Sequence, residues 1–253
     1  MPNISGKQVL WAGITFLIYN FIFGWQIALL IMTAIGYHEY CHLLAAEKLK
    51  LKTGGFLFLP FIGGVSFVMG KYKAYAHQAF VVLAGPIGGS TLAVLTYIAY
   101  LITGLPFLAA STYWILLVNL LNLAPFSFLD GGQVMTSIMY SINEKVGFYC
   151  KAISTFIAVF ILSYFSILLA LFIGFFGGME VMTELRNRKY FASGQMELLT
   201  KGYLDKPEKM TTGQIILTSV VWAVAIVVLG GFWLLLKDNP ESSLRFLTGL
   251  RGK

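Results

Sequence analysis

Gly36-Tyr37-His38-Glu39-Tyr40-Cys41-His42 closes a long apolar run in this 253-residue chain. It reads His-Glu-x-x-His. On a helix, His38 and His42 stand one turn apart on one face and can share a metal ion. Glu39, next to His38, can reach a water on that metal. Imidazole nitrogens are good zinc ligands, and a paired carboxylate can take a proton from water. The pattern is short and arises by chance, so its position carries the weight. A charge at the centre of an apolar span costs about 2.5–3.5 kcal/mol on insertion scales. The competing reading is a helix end that just reaches the interface, with its polar residues facing water.

Composition agrees with a membrane setting. The chain is 58% hydrophobic and 11% charged, against about a quarter charged in a soluble domain. Several apolar runs are long enough to cross a bilayer. The expected fold is an all-α polytopic membrane protein with about six to seven transmembrane helices. A net charge of +7 then belongs to cytoplasmic loops and anionic headgroups, and no nucleic-acid partner is expected. The two cysteines, Cys41 and Cys150, make no disulfide framework, and Cys41 reads as a small packing residue. The N-terminal apolar run has one lysine before it and no clear cleavage site, so it reads as retained.

The chain divides into an N-terminal apolar segment 1–24, a membrane core 25–145, an apolar helical hairpin 146–178, a basic loop 179–212, and a final span with a polar tail 213–253. Residues 8–24 are a short span or an interfacial helix. Residues 25–46 deliver the motif, and Lys48, Lys50 and Lys52 follow at once, placing that end in the cytoplasm. Residues 54–70 are too interrupted by glycine to span. They suggest a small membrane-associated hairpin or re-entrant loop, able to offer a strand edge to an extended substrate. A plain connecting loop is the competing reading. Residues 76–103 and 107–124 are the next spans, turning at Gly104-Leu105-Pro106. Residues 146–178 form two short helices broken near Ser163-Tyr164, because the basic residues after them belong in the cytoplasm.

Two further residues matter for chemistry. After Glu47 the next acidic residue is Asp130, in Leu129-Asp130-Gly131-Gly132, just beyond the helix breaker Pro125. Two histidines on zinc need a third protein ligand and an open position. No histidine follows His77, which sits near an interface and reads as an interfacial residue. Asp130 is therefore the leading third ligand. A helix cap before Gly131 is the alternative role.

Taken in order, His38-Glu39-x-x-His42, Ala84-Gly85-Pro86, Asn122-x-x-Pro125 and Leu129-Asp130-Gly131 resemble the site-2 protease family of intramembrane zinc metalloproteases. The resemblance spans residues 25–140 and is closer to compact bacterial members without extra domains. It implies one zinc per chain on His38, His42 and Asp130, with Glu39 as general base. It implies that Asn122 helps to stabilise the substrate or oxyanion. The implied partners are the lipid bilayer and a membrane-protein substrate with a transmembrane segment. The implied location is a bacterial cell membrane, multi-pass, with the active site toward the cytoplasm. Many members carry Asn where this chain has Gly89. No PDZ-like or nucleotide-sensing domain is expected. Two other classes stand beside this one. A catalytically silent zinc-binding scaffold of the same fold is opposed by the intact Glu39. A metal transporter is opposed by the small number of histidines and buried acids.

Overall fold

A computed structural model describes residues 5–60, 63–192 and 207–237. The order of elements is α1 (Gly6–Phe23), α2 (Trp25–Lys48), β1 (Lys52–Leu59), β2 (Gly63–Met69), α3 (Tyr75–Thr103), α4 (Pro106–Asn122), α5 (Asp130–Ile142), α6 (Glu144–Phe165), α7 (Ile167–Ala192) and α8 (Thr212–Leu236). The described residues are mostly helical, with one antiparallel pair of strands among them, β1–β2.

Among the described residues, four helices are long and apolar enough to cross a membrane: Trp25–Lys48, Tyr75–Thr103, Glu144–Tyr164 and Thr212–Leu236. This is fewer than the sequence suggested. α1 carries Lys7, Gln8 and Asn20 within its 18 residues. α4 has 17 residues, about 25 Å of helix against an apolar slab of about 30 Å. α7 is apolar at its start but runs on through Glu180, Glu184 and Arg186.

The chain forms two compact units. The first takes in Met1–Gly70, Phe80–Leu123 and Trp222–Lys253. Its α1 opens with a capping box: the Ser5 backbone N–H donates to Gln8 Oε1 at 2.8 Å, and the Gln8 backbone N–H donates to Ser5 Oγ at 3.4 Å. Gln8 also donates to the Gly54 carbonyl at 2.8 Å, and Thr15 Oγ1 to the Phe58 carbonyl at 3.4 Å. α1 thereby holds β1 along its length. The two strands pair with Phe56 opposite Ser66 and Phe58 opposite Gly64, after an irregularity between Thr53 and Phe56. The hairpin packs on α2, which also meets α1 and α4. α3 and α4 are tied by Thr96 and Thr112, 2.9 Å apart. Trp222 of α8 donates to the Leu123 carbonyl at 3.0 Å, which satisfies an orphan acceptor at the end of α4.

The second unit takes in Lys71–Ala79 and Ala124–Val221. Asn143 caps α6 by accepting from the Lys145 and Val146 amides at 2.8 and 3.3 Å. α6 and α7 pack as an antiparallel pair, with their break at Ser166 in extended backbone. Lys151 near the start of α6 pairs with Glu180 at 2.6 Å and Glu184 at 3.6 Å, far along α7. Tyr140 of α5 donates to Glu184 at 2.5 Å and stacks on Tyr75. The stretch expected to be a basic loop from residue 179 is helical as far as Ala192; most of its remainder, 193–206, lies outside the described residues. Glu208 then bridges back, its amide on the Lys73 carbonyl at 2.8 Å and its carbonyl accepting from Tyr75 at 2.9 Å.

Candidate metal centre

α2 carries the motif because nothing in residues 25–48 interrupts a helix and the first break comes at Leu49, whose amide closes on Ala45 and Ala46. His38, Glu39 and His42 are all buried on it. The imidazoles meet edge to face, with centroids 4.7 Å apart.

Their protonation follows from their partners. His42 Nδ1 lies 2.8 Å from the Val81 carbonyl of α3, which can only accept, so this nitrogen carries the proton. His38 Nδ1 lies 2.9 Å from Asn119 Oδ1 on α4. Asn119 spends its amide nitrogen on the Ile115 carbonyl at 2.7 Å, so its oxygen faces His38 as an acceptor. His38 Nδ1 is therefore also the N–H. Both lone pairs then sit on Nε2, and the two Nε2 atoms are 3.1 Å apart. Two lone pairs at that distance repel unless a cation, a metal ion or an added proton, sits with them.

α3 makes room for this pair at Gly85. A Cβ there would strike His42 Cε1 and Nε2 and come within 2.8 Å of His38 Nε2. The small-residue segment of α3 is thus a packing face for the imidazole edges. Further along, Gly88 faces Cys41 and Gly89 faces the Asn119 amide.

Glu39 turns the other way, toward the hairpin. Ser66 of β2 donates to its carboxylate, and the Gly64 backbone lies against its side chain. The register of β1 and β2 puts these two residues on the same side of the strand, two apart.

Asp130 opens α5 in the second unit and is buried. The N-cap of α5 is Leu129, which has no side-chain cap bond, so Asp130 is the first helical residue rather than the cap. Its charge raises the Tyr72 phenol pKa, adding to the larger effect of burial. His38, His42 and Asp130 are a buried set of donors of the kinds a metal ion takes; His77 does not belong to it. Asn122 bonds its own helix, donating to the Val118 carbonyl at 3.1 Å. The asparagine that touches a motif histidine is Asn119, one turn earlier. Sequence reading passed over it; a polar amide inside an otherwise apolar stretch of α4 was the available signal.

No protein-family model matches this chain, and no curated protein matches it either.

Proposed function

We propose that this chain is an intramembrane zinc metalloprotease of the site-2 type, which hydrolyses transmembrane segments of other membrane proteins. The observation that carries the reading is the His38–His42 pair, with both Nδ1 protons committed and the Nε2 atoms 3.1 Å apart. Nitrogens on one tetrahedral zinc, at about 2.0–2.1 Å each, stand about 3.3 Å from one another. Asp130 is the proposed third ligand, a buried acid in the first turn of α5 whose carboxylate is a donor of the kind zinc takes.

Bound zinc polarises a carbonyl and makes water acidic enough to react near neutral pH. Glu39 accepts the proton of the attacking water and passes it to the leaving amine. Asn122, at its place in the motif, is the proposed stabiliser of substrate or oxyanion. The hairpin offers a reason for Glu39 to face β2. Phe58 turns its carbonyl to Thr15 on α1. By the alternation of an antiparallel pair, Gly64 and Ser66 then turn their amides and carbonyls to the outer edge of β2. An extended substrate strand added to that edge runs beside Glu39. The substrate must unwind there, since a helix hides its carbonyls in hydrogen bonds. We assign the protein to a bacterial cell membrane, with this site toward the cytoplasm.

The test uses protein purified in detergent and a transmembrane substrate co-expressed with it. Metal analysis is expected to give close to one zinc per chain, and the substrate is expected to be cut by wild type and not by Glu39→Gln. A wild-type protein without zinc and without cleavage would end the proposal.

A further inference from the structure

We infer that Asn119 is a positioning residue for the metal site: it holds His38 in the tautomer and ring orientation that turn Nε2 toward His42. The inference rests on the zinc reading above and adds a residue that none of the sequence motifs assigns. Asn119 is fully buried, at 0% exposure, in the last turn of α4. Burying an amide is unfavourable unless both of its ends are bonded. Here both are. The nitrogen donates to Ile115 at 2.7 Å and the oxygen accepts from His38 at 2.9 Å. The first bond fixes which end of the amide faces the imidazole. The second fixes which imidazole nitrogen carries the proton.

The surroundings are built for this side chain. Gly89 on α3 lies so close that a Cβ there would strike the Asn119 oxygen, with the amide carbon and nitrogen at 2.9 Å. A side chain at position 89 would push the amide off His38. His42 needs no such helper, because the Val81 carbonyl does the same work for its Nδ1 at 2.8 Å. The two ligands are therefore oriented by unlike groups, one a backbone carbonyl and one a side chain open to mutation. An acceptor on the far nitrogen of a ligating histidine raises its basicity and fixes its aim, and removing one typically lowers metal affinity about 10–100-fold.

The experiment titrates Zn2+ into the metal-stripped, full-length protein in detergent against a competing chelator. Thermal unfolding of each metal-free variant is measured alongside. Asn119→Leu keeps the branched four-atom shape of the side chain, at a larger volume, and removes the acceptor; zinc affinity is expected to fall about 10–100-fold, and metal-free melting separates that loss from any cost of packing. Asn119→Asp restores an acceptor and is expected to hold zinc within tenfold of wild type. Gly89→Ala improves helix propensity yet displaces the amide, and it is expected to weaken zinc as Asn119→Leu does. Should Asn119→Leu not fold, Gly89→Ala decides. Wild-type affinity in Asn119→Leu or in Gly89→Ala, or equal losses in Asn119→Leu and Asn119→Asp, would overturn the inference. A wild-type protein that binds no zinc in the same titration overturns the metal reading itself, and the role of Asn119 with it.

Discussion

At Glu39, glutamine keeps the length of the side chain and can still accept from Ser66, but it cannot take a proton from water. Glu39→Gln is therefore expected to retain zinc and fold while cleavage falls below detection; turnover in that variant would remove the general base from Glu39. Asp130 gives a second comparison. As a charge in the first turn of α5 only, it contributes about 0.3–1 kcal/mol, and Asp130→Asn would lose no more than that. As a ligand, its loss removes the negative charge that offsets the dication, so zinc content and cleavage are both expected to fall while His77→Ala changes neither. Full zinc in Asp130→Asn would make the residue structural. The His-Glu-x-x-His spacing was legible in the sequence because helix geometry alone puts His38 and His42 on one face. The tautomers were not, because they depend on Val81 and Asn119, 39 and 81 residues away from the histidines they touch.

The α3 stripe and the hairpin show how whole elements frame the motif. Gly85→Ala puts a methyl group against both imidazole edges. Overpacking of this kind costs about 1–3 kcal/mol, and zinc affinity is expected to drop with it, read by thermal unfolding and chelator competition. Unchanged values for both would mean that α3 moves aside easily. The hairpin depends on α1 through Gln8 and Thr15. Gln8→Ala and Thr15→Val are each expected to remove about 0.5–1.5 kcal/mol, and to speed amide exchange across residues 52–69 without loss of zinc. The glycine-interrupted sequence of 54–70 marked a departure from spanning helix. Its pairing register was not readable there, because the partners that settle it are on α1 and α2. The break between α6 and α7 falls at Ser166, close to the Ser163-Tyr164 region the sequence pointed to. The helical extension to Ala192 was masked in the sequence by its own charges, which resemble those of a loop but here include Glu180 and Glu184, paired to Lys151.

For the molecule as a whole, the arrangement of basic residues gives a sidedness prediction in each unit. In the first, Gln8 near the start of α1 reaches Gly54 just after α2. Lys7 and the cluster Lys48, Lys50 and Lys52 therefore sit at one end of that helix pair. The turn at Gly104, between α3 and α4, holds no lysine or arginine in the stretch 76–144 around it. In the second, the Lys151 pairs with Glu180 and Glu184 put the start of α6 beside the far part of α7, leaving Ser166 at the opposite end. Basic residues near helix ends stay on the cytoplasmic face. Lys52 and Lys145 are thus expected inside, and Leu105 and Ser166 outside. All four positions are exposed, so each can be replaced by cysteine and reached by a thiol reagent. The native Cys41 and Cys150 are first changed to alanine. On intact cells, a membrane-impermeant maleimide is expected to label Leu105→Cys and Ser166→Cys at once, and Lys52→Cys and Lys145→Cys only after the membrane is opened. Labelling of Lys52→Cys from outside would place the motif end of α2 on the outer face and overturn a cytoplasmic site. Labelling of Ser166→Cys only after opening would mean that α6 and α7 do not cross as a pair.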